Sequence, residues 1–167
     1  MSDENLLFPA HVFRFRVDFS EARLGEAAGS SGGGEVPLAS GAFSEATGLE
    51  ATMEPKTIKE GGRNYGVNHR AGPVTFGTVV LKRGMTTTRD LWNWFELVSN
   101  GAYAYRLTAT VSMLGPEGDE PVAAWRLERA LPVKFKAADL NAKGTEVGIE
   151  ELHLAHEGMR LVRGGGR

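Results

Sequence analysis

The segment HVFRFRVDF, residues 11–19, alternates between two kinds of side chain at every position. One side of it carries Phe13, Phe15, Val17 and Phe19. The other side carries Val12 together with the basic residues Arg14 and Arg16. A repeat of two residues is typical of a β-strand with one buried face, because successive side chains point to opposite faces. The segment therefore predicts a strand that packs its aromatic side on a core.

Most of the chain beyond this strand also predicts β structure. Further strands are expected at residues 43–59, 74–82, 104–114, 122–131, 133–138 and 146–156. The first of these contains Gly48 and Leu49, where the glycine predicts a bend or bulge that divides it into two strands. Turn residues at 72–73 and 115–119 separate others. The total is about seven or eight strands.

Residues 84–101 predict the one clear helix. Its apolar residues recur at helical spacing and form one face: Leu91, Trp94, Phe95 and Val98. Thr87 or Thr88 is expected to cap it, and Asp90 suits the first turn because a negative charge there meets the helix dipole. Asn100 and Gly101 predict its end. We expect one domain over residues 1–167 with a mostly β (α+β) fold, an antiparallel β-barrel or sandwich with one helix packed on the outside.

Two segments predict flexible chain. Residues 29–35 read GSSGGGE, a Gly/Ser-rich run within an insert at about 20–40 that has few side chains able to pack. Residues 160–167 end in GGGR and predict a disordered tail. A third glycine-rich stretch, Glu60 to Asn64, is shorter and predicts a turn at the tip of a loop.

The charge and cysteine content exclude several partners and chemistries. The net charge is −2, from 19 Lys and Arg against 21 Asp and Glu, which gives no overall attraction to nucleic acid or to an anionic membrane. There are no cysteines, so disulfides, cysteine-ligated metals and thiol nucleophiles are absent. No stretch approaches the roughly 20 apolar residues of a membrane helix, and the N-terminus lacks the pattern of a signal peptide. No membrane insertion is expected.

Motifs of catalysis or cofactor binding are also missing. His153 and His156 are three apart in a predicted strand, which places them on opposite faces and argues against a shared metal. No HExxH, phosphate-binding or GxSxG pattern occurs. Trp94 is interpreted as core and Trp92 as cover for a neighbour, rather than as a stacking surface for sugars or bases. We expect no catalytic, metal-binding or cofactor-binding residues, no cofactor and no enzymatic activity.

The order of several segments is more specific than any of them alone. The first strand is followed by FSEATGLEA at 43–51, KEGGRN at 59–64 and VVLKRGMT at 79–86, which leads into LWNWF at 91–95. AAWRLERALPVKF at 123–135 and GIEELHLAHEGM at 148–159 close the series. Over residues 12–159 this order resembles the tail tube family of contractile phages and of extracellular contractile injection systems.

The resemblance implies a structural subunit with a fold similar to the tube proteins of type VI secretion. Members form hexameric rings that stack into a hollow tube inside a contractile sheath. Strands of neighbouring subunits join into an inner barrel with the helix outside. Expected partners are copies of the same chain, the sheath protein, baseplate or tube-initiator and tail-terminator proteins, and luminal cargo or a tape measure. Assembly is expected in the bacterial cytoplasm, with release on lysis.

Two sets of residues are expected to make the contacts. The polar turn of Glu60, Gly61, Gly62, Arg63 and Asn64 lies at the tip of the two-part segment 43–64, a candidate for the hairpin that reaches the neighbouring ring. Replacing Gly61 and Gly62 by Val is expected to block stacking and leave the fold intact. Trp92 and Glu96, off the apolar stripe of the helix, are expected to meet the sheath or a neighbouring subunit.

Three alternatives stay open at this point. The insert at 20–40 is longer than a compact tube subunit needs, which favours a tube-initiating, baseplate-proximal paralogue as the second interpretation. The cargo, DNA in a phage or protein in an injection system, is left open. A monomeric small-ligand-binding β-barrel, closed at one end by the helix, is the alternative of a different class.

Overall fold

The computed structural model describes residues 14–22, 43–115, 118 and 120–162. Over these residues the chain forms eleven strands and one helix, α1 at Asp90–Ser99. The strands before the helix are β1 Phe15–Glu21, β2 Glu45–Thr47, β3 Ala51–Met53, β4 Lys56–Ile58, β5 Asn68–Arg70, β6 Val74–Phe76 and β7 Val79–Gly84. Those after it are β8 Leu107–Leu114, β9 Pro121–Lys136, β10 Ile149–Ala155 and β11 Gly158–Val162.

Seven of these strands form one antiparallel sheet. Its order is β1-β8-β9-β10-β7-β2, and β11 pairs with β9 beside β10. The 16-residue strand β9 lies in the middle, with β8 along one edge and β11 followed by β10 along the other. Ala155 opposes Leu131 and Gly158 opposes Glu128, so β10 and β11 follow β9 in one register across the bend between them.

One face of the sheet is the core, and α1 covers it. The predicted first strand is confirmed over its described part, because Val17 and Phe19 are buried while Arg16 is exposed. The Phe19 ring meets the rings of Phe43 and Trp94 edge-on, with centroids 6.4 and 5.6 Å apart. Leu91, Trp94 and Val98 form the buried stripe of the helix. The mostly β fold with one packed helix is therefore confirmed.

The helix is shorter than predicted and starts without a threonine cap. Arg89 occupies the N-cap position and no side chain caps the helix. Neither Thr87 nor Thr88 is therefore the predicted cap, and the Thr88 hydroxyl lies 2.9 Å from Thr86 Oγ1 and 3.5 Å from Asp90 Oδ1. The predicted end is confirmed, since Asn100 donates its backbone N–H to Glu96 and Gly101 has φ +136°.

A buried arginine links the start of the helix to the sheet. Arg83 of β7 is 1% exposed, and its guanidinium donates to Glu150 Oε1 of β10 at 2.5 Å. It also donates to both carboxylate oxygens of Asp90 at the start of α1, and lies 5.9 Å from the centre of the Phe43 ring. Burial by itself lowers the pKa of Arg83, but its hydrogen bonds to Asp90 and Glu150 and their negative charges raise it above its ordinary value. This triad fixes the helix to two central strands.

Several predicted boundaries were wrong. Residues 74–82 belong to two strands, β6 and β7, separated by Gly77 and Thr78. The two strands predicted at 122–131 and 133–138 are the single strand β9. Pro132, between them, lies at a shift in the pairing with β10, where a missing N–H is tolerated. The strand predicted to begin at residue 104 begins at Leu107.

Part of each segment that was predicted to be flexible belongs to a strand. Ser20 and Glu21 belong to β1, and the rest of the 20–40 insert lies outside the described residues, apart from Ala22. Residues 160–162, assigned to the tail, belong to β11, and 163–167 lie outside the described residues.

Replacing Arg83 by Met is expected to lower the free energy of unfolding by about 3–5 kcal/mol, because Asp90 and Glu150 then remain close together without their cation. The matched control is Lys82→Met, the preceding residue, whose 3.1 Å ion pair with Glu45 is partly exposed and should contribute about 0–1 kcal/mol. Urea denaturation of both variants checks the difference. Equal losses would contradict the role assigned to the triad.

Candidate assembly interface

A long two-stranded ribbon extends from the sheet. β2 pairs with β7, β3 with β6 and β4 with β5, so the six strands form one antiparallel hairpin. The first two pairs of strands share one register. The register shifts by one residue between the Met53–Val74 pair and the Lys56–Arg70 pair. Only β7 also pairs with β10, and that pairing ends at Val79. Residues 50–77, here called the arm, continue the ribbon beyond the sheet.

The arm leaves the sheet at a glycine that no other residue can replace without strain. Gly48 has φ +83°, and a Cβ at this position would lie 2.1 Å from the Thr78 carbonyl oxygen. Both the backbone conformation and the close approach of the second strand therefore require glycine. Just beyond it, Gly77 donates its N–H to the Glu50 carbonyl at 3.1 Å. The bend predicted at Gly48 is thus the point where the arm begins.

Almost the whole arm is exposed. From residue 50 to residue 75 only Asn68 and Gly72 are partly buried. One face of its inner half is apolar, with Met53 52% exposed opposite Val74 at 43%. The other face carries Thr52 opposite Thr75. An isolated two-stranded ribbon is marginally stable in water, so this surface fits contact with another molecule.

The predicted turn forms the tip of the arm. Gly61 and Gly62 make the turn, and Gly62 has φ +86°. Arg63 Nη1 donates to Asn68 Oδ1 at 2.6 Å and braces the loop that follows. Tyr65, in that loop, is 93% exposed. The sequence analysis did not select Tyr65 as a contact residue. An aromatic residue directly after a polar, glycine-rich turn was the signal that could have found it.

Among the described strands, the main sheet has unpaired edges at β1 and β2, at its two ends, and at β11. Leu114 donates its N–H to Arg14 and Ala22 donates its N–H to Arg106 at the two ends of the β1–β8 pairing. Because hydrogen-bonded positions alternate in antiparallel strands, the odd positions of β1, residues 15–21, direct their backbone N–H and C=O groups away from β8. Among the described strands, β1 pairs with β8 alone and β2 with β7 alone. Such edges invite pairing with another chain.

Trp92 and Glu96 lie together on the exposed side of α1. The Trp92 ring contacts Phe95 and Phe135, with centroids 5.7 and 5.5 Å apart, and the residue remains 42% exposed. Glu96 is exposed one turn later. Trp94, by contrast, is 3% exposed in the core, as predicted. The helix therefore presents a mixed aromatic and acidic surface to the outside.

The described residues were searched for metal-binding groups and for membrane-spanning helices. None of their His, Asp and Glu residues form a group of three or more that could bind a metal. His153 lies 3.4 Å from Glu151, and His156 Nδ1 lies 2.9 Å from the Gly158 carbonyl. None of the helices in the described ranges is both long and apolar enough to cross a membrane. The exposed strands and surfaces are the features that need an explanation.

Comparisons with known proteins point the same way. Residues 11–160 match the family described as T4-like virus tail tube protein gp19. A chain in the anti-feeding prophage baseplate is 28% identical, with a TM-score of 0.74 over 95% of this chain and 98% of that one. A chain of the PVC extracellular contractile injection system, from its sheath–tube complex, is 17% identical with a TM-score of 0.69 over 95% and 94%.

More distant structures share only the fold. A type six secretion system protein is 12% identical with a TM-score of 0.51, and the alignment covers 89% of this chain and 83% of that one. No match was found among curated protein sequences. The expected similarity to type VI secretion is thus confirmed at the level of the fold for one type six secretion system protein.

Gly48→Ala is expected to lower the free energy of unfolding by about 1–3 kcal/mol, because the alanine must adopt a left-handed conformation and displace the Thr78 carbonyl. Gly61→Ala is the control, since a Cβ there meets nothing within 4 Å, and a change within about 0.5 kcal/mol is expected. Thermal or urea unfolding compares the two. If Gly48→Ala is as stable as Gly61→Ala, the arm does not depend on this bend.

Proposed function

Since the chain belongs to the T4-like virus tail tube protein gp19 family, we propose that it forms the inner tube of a contractile phage tail or injection particle as stacked hexameric rings. The family match and its contractile injection system neighbours support a structural, tube-type role. The proposal of stacked rings depends on one observation: a single subunit has both open sheet edges and an exposed arm.

The ring forms by joining sheet edges. The edge of β1 in one copy pairs with the edge of β2 in the next, so the seven-stranded sheets continue into one closed barrel. Closure satisfies backbone groups that a single subunit leaves unpaired. The baseplate structure that contains the 28% identical chain is sixfold symmetrised, which supports six copies per ring.

The arm joins successive rings. Its apolar face, with Met53 and Val74, packs on the neighbouring ring, and its tip at Glu60, Gly61, Gly62, Arg63 and Asn64 adapts to that surface. Packing of this kind stiffens the tube, because many small apolar contacts repeat at every ring. Gly62 needs its positive φ for the turn itself, so Gly61→Val tests the tip without straining it.

The outside of the tube meets the sheath. Trp92 and Glu96 on the exposed side of α1 are the residues proposed for that contact or for a contact between subunits. The neighbour structures include a sheath–tube complex, a baseplate and a tube-terminating cap, which supports sheath, baseplate and terminator proteins as partners. Cargo or a tape measure occupies the bore. The subunit assembles in the bacterial cytoplasm, leaves the cell on lysis, and performs no catalysis.

A second candidate within the same family is the first ring at the baseplate. The 28% identical chain comes from a baseplate structure, whereas the chain from the sheath–tube complex is 17% identical. This difference favours a baseplate-proximal position. The family match argues against the monomeric ligand-binding barrel, whose interior would have to be open where Phe19, Phe43 and Trp94 fill the core.

Met53→Asp combined with Val74→Asp is expected to abolish stacking of rings while the mass of single rings is kept, because two charges then replace the apolar face of the arm. The control is Thr52→Asp with Thr75→Asp, the cross-strand pair on the opposite face. Electron microscopy and light scattering compare the two double variants. Tubes of normal length from the Met53 and Val74 variant would show that this face makes no contact between rings.

The wild-type chain alone is expected to form tubes many rings long, as a repeated subunit should. A first ring would instead stop at one ring, with six times the subunit mass of 18.0 kDa. Light scattering over a range of concentrations separates these results. Single rings at every concentration would favour the baseplate-proximal position over the main tube.

A further inference from the structure

The arm meets the body of the subunit at two cross-strand pairs, Glu50 with Gly77 and Ala51 with Phe76, here called the root. The Gly77 N–H donates to the Glu50 carbonyl at 3.1 Å, and Ala51 lies directly opposite Phe76. Phe76 and Gly77 are partly buried, whereas nearly all of the arm before them is exposed. The root is therefore where the arm packs against the body.

The side chains of the root direct one aromatic ring toward the body. A Cβ at Gly77 would lie 2.5 Å from Glu50 Cγ, so the missing side chain leaves room for Glu50 to cross the ribbon on one face. Successive residues of a strand point to opposite faces, so Phe76 lies on the other face. Its cross-strand neighbour Ala51 is small and covers little of the ring. The Phe76 ring is thus free to pack on the body.

The partner of this ring is His156, in the bend between β10 and β11. The ring centroids of Phe76 and His156 are 5.2 Å apart and the ring planes are tilted by 43°. This separation lies within the roughly 4.5–7 Å of favourable aromatic pairs. His156 Nδ1 lies 2.9 Å from the Gly158 carbonyl oxygen, which can only accept, so Nδ1 carries the proton. That hydrogen bond fixes the imidazole to the bend.

The contact has a cost as well as a gain. His156 Nε2 is buried and has no hydrogen-bond partner among the described residues. A buried polar atom without a partner has lost the hydrogen bond that water would give it. Movement of Phe76 away from the ring would return Nε2 to water. Ring packing therefore favours a closed root and hydration of Nε2 favours an open one.

We propose that the contact between Phe76 and His156 sets the direction of the arm, so that a free subunit presents its arm in one orientation before it meets another molecule. Beyond the root, the described ribbon is exposed and has no third strand, so its direction is decided at the root. The proposal concerns the single subunit and goes beyond the proposed function. Its consequence for stacking rests on that function, because an arm that is already oriented loses less conformational freedom on docking.

The absence of cysteine in the chain allows the direction of the arm to be measured with two spin labels. Thr52→Cys places one label on the exposed inner half of the arm, and Asn93→Cys places the other on the exposed side of α1. Pulsed electron paramagnetic resonance on dilute, unassembled subunits should give one narrow distribution of distances. A broad distribution in this otherwise wild-type chain would overturn the inference.

Loss of either ring should release the arm. Phe76→Ala and His156→Ala should each broaden the distribution, and the double variant should broaden it no further, because all three remove the same contact. His153→Ala is the matched control, since His153 lies in β10 beside Glu151, at 3.4 Å, and its loss should leave the distribution narrow. His156→Phe keeps a ring at the bend and should also keep it narrow.

His156→Phe separates loss of the contact from a general loss of the fold. A narrow distribution in Phe76→Ala would overturn the inference, because the arm would then be oriented without its ring. Equal broadening by His153→Ala and His156→Ala would overturn it as well, since the effect would not belong to the root.

The consequence for assembly is measured separately. Only subunits with a closed root are ready to dock, so Phe76→Ala and His156→Ala should raise the concentration at which tubes form roughly tenfold, and His153→Ala should not. Light scattering and electron microscopy follow the tubes. Tubes that form at the wild-type concentration from subunits with a released arm would contradict the role of the root in stacking. A wild-type chain that forms no rings or tubes would contradict the proposed function and leave the spin-label result unchanged.

Discussion

A two-stranded ribbon that continues beyond its sheet is the constraint on which the rest of this structure depends. Within the sheet, β7 pairs on both sides, with β2 and with β10. Beyond Gly48 and Val79 the same ribbon has no third strand among the described residues, and nearly all of it is exposed. A ribbon of this kind is marginally stable in water. The exposed arm and the open edges of β1 and β2 both fit the proposed assembly, in which neighbouring copies complete the fold.

The body from which the arm extends is held rigid in a different way. Arg83 joins two strands and the start of α1 through its carboxylate partners, and the aromatic rings of Phe19, Phe43 and Trp94 fill the space between sheet and helix. A part that must transmit force needs one fixed arrangement of helix and sheet. Stiffness in the body and incompleteness at the edges suit a subunit whose role is mechanical and geometric.

The features that the sequence predicted are those that depend on local pattern. The alternation of residues 15–19 indicated β1, the spacing of Leu91, Trp94 and Val98 indicated the buried stripe of α1, and Gly48 indicated the bend. Asp90 was correctly predicted in the first turn of α1, whereas the triad was not predictable, because Glu150 lies 67 residues from Arg83 and meets it only in the fold. The division of residues 74–82 likewise depends on where β10 stops pairing, which is a property of the sheet.

The candidate interface was predicted only at its tip. Residues 60–64 stand out in the sequence as polar and glycine-rich. The apolar face with Met53 and Val74 depends on a cross-strand register that shifts near Pro55, so no regular spacing of apolar residues in the sequence reveals it. Residues that are far apart in sequence become a surface only when their strands are ordered.

Hydrogen exchange followed by mass spectrometry, on dilute subunits and on assembled particles of the same chain, tests most directly whether neighbouring copies complete this fold. We expect the amides of the arm and of β1 to exchange fast in the dilute subunit and to become protected on assembly. The amides of β8, β9 and β10 should be protected in both states. Assembled particles in which the arm still exchanges fast, or isolated subunits in which it is already protected, would contradict this view of the molecule.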